Sequence, residues 1–291
     1  MKKTNFLIAS GLVSLIVFFP KPVFGAEIKA NAENLTTSVN QLIEVKDDKS
    51  MSDPERLAKE LEARKQVVKD ALSLSLKEIS SLETSLKALK TKDERVLDFQ
   101  SSSLEYLESA KTFYEEQSDV VDKLASMDEV KALAQKIKDY RDAGYNKKIE
   151  RVTNFLLLNQ IDGLIATAET RWQKIDSDLK KLERGAFVSP GYFDANMQKA
   201  KKYISDATNL GADAKEQILK EFEAEKISAE EKLSLTAASP SEDKAQVQDN
   251  TPEIAPKVVN PKELAEASLT NLKSSYDIFL KISQSVKKIL Q

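Results

Sequence analysis

The residues that could do chemistry in this chain begin with two serine–lysine pairs. Ser177 and Lys180, and again Ser285 and Lys288, stand one helical turn apart, the spacing of the serine and lysine in serine acyl enzymes. The Ser-Asp-Asn and Lys-Thr-Gly elements that accompany such a pair are missing. In a lysine-rich chain the pair arises from composition alone. Carboxylates crowd at Glu221, Glu223, Glu225, Glu230 and Glu231, but without the Asp-x-Asp-x-Gly spacing of a calcium loop. They read as a solvated acidic face. No two glycines come closer than six residues apart, so no glycine-rich loop can cradle a phosphate. With no cysteine and no histidine, thiol nucleophiles, imidazole acid–base catalysis and ordinary zinc sites drop out together. The sequence assigns no catalytic residue, no cofactor and no metal.

Two spots suit contact better than catalysis. Tyr140, Arg141 and Tyr145 surround a glycine turn, and Phe187, Tyr192 and Phe193 form an aromatic turn further on. Tyrosine and arginine are frequent contact hot spots. Aromatic residues also plug the ends of helical bundles, and both roles are open at both spots.

The element that must position these spots is the stretch between them. From Asn146 to Arg184 its apolar residues fall at Leu158, Ile161, Ile165, Ala168, Trp172, Ile175, Leu179 and Leu182. Steps of three and four keep that row on one side of a helix. Gly144 precedes it and Gly185 follows it, and Lys180, Lys181 and Arg184 crowd its last turn. A straight helix of that length spans about 58 Å, too far for one ligand to touch both aromatic spots. Gly163 lies inside it at a cost of about 1 kcal/mol. A close neighbouring backbone or a kink would account for it. Trp172 falls on the apolar row and reads as core.

Composition agrees with helices. Charged residues make up 31% and aromatics 7% of 291 residues, a mixture suited to long amphipathic helices. No run of alternating residues with turn signals suggests a sheet. Residues 1–25 read as a cleaved export signal, with Lys2 and Lys3, an apolar core from Phe6 to Phe19, and a cleavage site near Gly25 and Ala26. The apolar core is short for a membrane span; a retained N-terminal anchor is the alternative. Cleavage leaves 41 basic against 47 acidic residues, a net charge of −6. That balance disfavours nucleic acid. Without cysteine no disulfide can staple the exported chain.

Taken in order, 26–51 is a polar segment with a short helix on Leu35, Val39, Leu42 and Ile43. A bundle fills 52–236, its helices expected over about 53–90, 92–125, 127–143, 146–184, 190–210 and 214–236. Ser52…Glu55, Thr91…Glu94, Ser126…Glu129 and Asp213…Glu216 supply the starts, and Gly211 the last break. Residues 237–260, with Pro240, Pro252 and Pro256 among polar residues, form a disordered linker that spans about 27 Å. Asn260 and Pro261 start a C-terminal amphipathic helix on Leu269, Leu272, Tyr276, Phe279, Val286 and Leu290. Its apolar row needs a cover, either its own bundle or an outside surface.

The fold class is all-α: an elongated antiparallel, coiled-coil-like bundle with a tethered C-terminal helix. The function expected is an exported, extracytoplasmic, non-enzymatic structural or protein-interaction module, its partner an envelope protein or a second copy of itself. The alternatives are a membrane-surface protein held by 262–291, and a small-ligand-binding or carboxylate-based hydrolytic bundle.

Overall fold

The structure is a computed structural model that describes residues 26–237 and 260–289. The export signal read at 1–25 and the linker read between these segments lie outside the described residues. The chain is all-α, and no strand occurs among the described residues. Among those residues seven α-helices follow one another: α1 (Ala26–Asp47), α2 (Asp53–Lys87), α3 (Glu94–Val121), α4 (Met127–Tyr140), α5 (Asn146–Arg184), α6 (Asp194–Ala237) and α7 (Pro261–Ile289). They form two compact units, Met1–Thr153 and Asn154–Gln291, in place of the one bundle expected over 52–236. Most of α5 and the whole of α7 belong to the second unit.

The first unit is built around α2, which is apolar on two faces. Val67, Ala71 and Leu74 pack with Ile28, Leu35 and Val39 of α1. That makes α1 a full 22-residue helix rather than a short one. Val68, Leu72, Ile79, Leu82 and Leu86 are buried as well, as is the row Phe99, Leu107, Ala110, Tyr114 and Val121 of α3. Side chains fix the directions. Ser73 of α2 reaches Asn31 of α1 at 3.5 Å, and Gln100 Nε2 donates to the Leu86 carbonyl at 2.6 Å. Ser38 bonds to Asp70 and Lys69 pairs with Asp122. These contacts run α1 and α3 antiparallel to α2.

Helix starts follow local chemistry, with corrections. Ser126 and Glu129 form the expected capping box. Thr91 and Glu94 do not; Asp93 is the cap, accepting from Arg95 N at 2.9 Å. Ser52 is an N-cap without a side-chain bond, so proline carries that start. Helices α4 and α5 are joined by one wide turn, Arg141–Tyr145, in which Asn146 N–H bonds to the Arg141 carbonyl. Gly144 sits there at φ 153°, where any side chain would be strained.

In the second unit α5, α6 and α7 pack up-down-up. Trp172 Nε1 donates to the Met197 carbonyl at 2.9 Å, and Lys215 pairs with Asp162, so α5 and α6 are antiparallel. Leu158, Ile161, Ile165, Ala168 and Leu179 are buried, while Trp172, Ile175 and Leu182 are half-buried. Helix α6 runs unbroken through Gly211, which corrects the expected break and the Asp213…Glu216 start. A Cβ on Gly211 would lie 3.9 Å from Ser268 Oγ, an ordinary contact, so an alanine would fit there too; Ser268 donates to the Ala207 carbonyl at 2.8 Å. Ala200, Ala207 and Ala214 of α6 and Ala265, Ser268 and Ser275 of α7 are all buried. Small residues on both helices let the axes come close. The inward row of α7 is therefore Ala265, Ser268, Leu272, Ser275, Phe279 and Ile282, rotated from the larger residues expected. Gly163 has nothing within 4 Å of an added Cβ, so no close neighbour accounts for it.

The end of α5 also differs from expectation. Phe187 N–H bonds to the Leu182 carbonyl and Ala186 N–H to the Glu183 carbonyl, both at 3.0 Å. This is a Schellman motif whose left-handed residue is Ala186, at φ 57°, and not Gly185. Left-handed geometry costs a residue with a Cβ about 1–2 kcal/mol. Ala186→Gly should therefore raise the unfolding free energy by about 1 kcal/mol in urea titrations; a loss of stability would contradict the motif.

Candidate functional site

Two places gather the residues that the sequence singled out. The first lies inside the first unit, where α2, α3 and the wide turn meet. Tyr145 is only 1% exposed and its hydroxyl donates to Glu78 Oε2 at 3.3 Å. Glu78, on α2, is itself only 4% exposed. Arg141 Nη1 donates to Ser75 Oγ at 3.1 Å, and its guanidinium lies 5.1 Å from the centre of the Tyr145 ring. Tyr140 stacks on Phe113 with ring centres 3.8 Å apart, and Tyr114 meets Tyr145 edge-on at 5.3 Å. Of the two roles open at this spot, the geometry gives Tyr145 the internal one. Tyr145 is buried, and Tyr140 and Arg141 are half-buried against its neighbours.

The electrostatics follow from burial. Burial pushes the Glu78 carboxyl above its ordinary value, against the pull of Arg141 and of the Tyr145 hydroxyl. Burial likewise pushes the Tyr114 phenol up to about 12. Tyr145 is raised well above the ordinary phenol, by burial first and by Glu78 second. Both phenols stay protonated at neutral pH, and the Tyr145 hydroxyl serves as a donor. The sequence reading missed Glu78 and Ser75. Its one available signal was that Val67, Ala71, Leu74 and Glu78 step by four, three and four, which places an acid on an apolar row.

The second place is the turn between α5 and α6. Phe193 is buried, whereas Phe187 and Tyr192 are each 62% exposed. The backbone beneath them is tied down. Gly191 N–H bonds to Glu183 Oε1 at 2.9 Å, Tyr192 N–H to the Ser189 carbonyl at 3.2 Å, and Asp194 N–H to the Gly191 carbonyl at 3.1 Å. Val188 is buried beneath the turn, and the Tyr192 and Phe193 rings meet edge-on at 4.9 Å. The turn therefore presents two large rings to solvent on a fixed frame.

Among the described residues no group of three acids stands close enough to hold a metal ion. A cavity of about 20 Å³ lined by Leu42, Arg64, Val67, Val68, Val130, Lys131 and Ala134 has room for one water. No described helix is long and apolar enough to cross a membrane. No family model, no curated protein and no solved structure matches this chain.

The Tyr114 hydroxyl is buried and completes no hydrogen bond of good geometry, with Ser75 as its neighbour. An unsatisfied buried hydroxyl costs about 1–3 kcal/mol. Tyr114→Phe should raise stability by about 1 kcal/mol in thermal or urea unfolding, and a loss of that size would show that the hydroxyl is bonded.

Proposed function

We propose that this chain is an exported, non-enzymatic helical-bundle protein that acts through protein contacts at or outside the cell envelope. The observation that carries the reading is the pair Phe187 and Tyr192, each 62% exposed on a hydrogen-bonded turn. Aromatic rings held on a rigid frame offer contact area with little entropy left to lose on binding. Export rests on the basic start, apolar core and small-residue site of residues 1–25. The partner is an envelope protein or a second copy of the chain.

The membrane-surface reading has less support. The inward row of α7 is covered within its own unit, which leaves Leu280 and Ile289 as its exposed large apolar residues. The exposed pair is also suited to mutation, because neither ring contributes to the core.

The test is capture from the native envelope with the full mature chain and with a Phe187→Ser, Tyr192→Ser double variant. Loss of two hot spots should weaken capture by about thirtyfold or more, with unfolding midpoints unchanged. Equal capture by both proteins denies the turn any part in binding, and turnover of a substrate by the purified chain overturns the non-enzymatic reading.

A further inference from the structure

The Glu78 cluster joins two elements of different build. Helix α2 is packed on two faces, whereas the turn Arg141–Tyr145 is a single wide turn with a glycine at φ 153°. Two side-chain bonds tie the turn to α2: Tyr145 to Glu78 at 3.3 Å and Arg141 to Ser75 at 3.1 Å. One of the two ends on a carboxyl that is only 4% exposed. An ionised carboxylate in such a place forfeits most of its hydration, and one long hydrogen bond does not restore it. The guanidinium of Arg141 donates to the Ser75 hydroxyl and pairs with no carboxylate directly.

We propose that Glu78 makes the turn Arg141–Tyr145 an acid-tightened latch on α2. When the carboxyl is ionised, opening the turn lets water reach the charge, so the open form gains. When the carboxyl is protonated that gain vanishes, and the turn stays closed. The groups that act on Glu78 are Arg141 and Tyr145 from the turn; Glu78 in turn acts on Tyr114 of α3, and Ser75 is its polar neighbour on α2. Among the described side chains no charged group of α1 acts on it. The direction of the effect follows from burial. The closed form holds the carboxyl proton above its ordinary value of 4.5, so its advantage is complete below that value and is lost as pH rises through the closed-state value. The latch lies within the first unit alone and works whether or not the chain is exported.

Hydrogen exchange on the full mature chain tests it, with rates corrected for the intrinsic effect of pH. Between about pH 7.5 and about pH 5 the amides of Arg141–Tyr145 should gain protection of about tenfold for each unit by which the closed-state value lies above about 5. Glu78→Gln should be well protected at both pH values. Tyr145→Phe, which removes the hydroxyl that favours the ionised carboxyl, should move the transition to higher pH. The start of α6, in the second unit, should follow neither change. Equal protection of the wild-type turn at both pH values overturns the latch. So does a Glu78→Gln chain that keeps the wild-type pH dependence or is less protected near pH 7.5, and so does a Tyr145→Phe transition that stays put or moves to lower pH.

Discussion

Burial between helices carries the stability of this chain, because without cysteine it has no covalent cross-link to fall back on. Each unit meets that constraint differently. In the first, α2 supplies two apolar faces, so α1 on one side and α3 on the other cover it together. In the second, small residues of α6 and α7 bring two helices close, and Ser268 closes the contact by bonding to the Ala207 backbone. A single serine-to-backbone bond is worth about 1 kcal/mol net, so packing around it dominates.

The polar groups buried by this packing carry the interesting electrostatics. Glu78, Ser75 and Tyr114 lie where an all-apolar core would hold only carbon. A fully hydrogen-bonded network would rigidify that place. This one is only partly satisfied, with a carboxyl on one long bond and a phenol on none of good geometry. Its position against the wide turn Arg141–Tyr145 gives the imbalance somewhere to act. At the surface the turn after α5 does the opposite: its backbone is hydrogen-bonded and the Phe187 and Tyr192 rings are left exposed.

Much of this was legible in the sequence, and the failures share a cause. The limits of α5 follow from a continuous apolar row and its flanking glycines, and the Ser126 cap follows from local side-chain chemistry. Both are signals carried by neighbours in the chain. Gly211 has the same local signature as a helix end, yet the helix runs on through it, packed against α7. Ala186, and not Gly185, takes the left-handed place, because the motif's two hydrogen bonds count from Leu182 and Glu183. The second face of α2 and the inward rotation of α7 depend on which helix covers them, information that spacing alone does not hold. Glu78 was hidden for the same reason, since an acid on an apolar row can also point along its edge to water.

The packing of the second unit requires α7 to be spent inside it. Hydrogen exchange along α6 and α7 of the full mature chain measures this directly. Amides of Leu272, Ser275 and Ile282 should be protected to the same degree as those of Ala200, Ala207 and Ile218, since the two helices bury one another. If the α7 amides exchange at the rates of an isolated helix while α6 stays protected, the helix is free, its apolar row is available to a membrane or another protein, and burial between helices does not hold the second unit together.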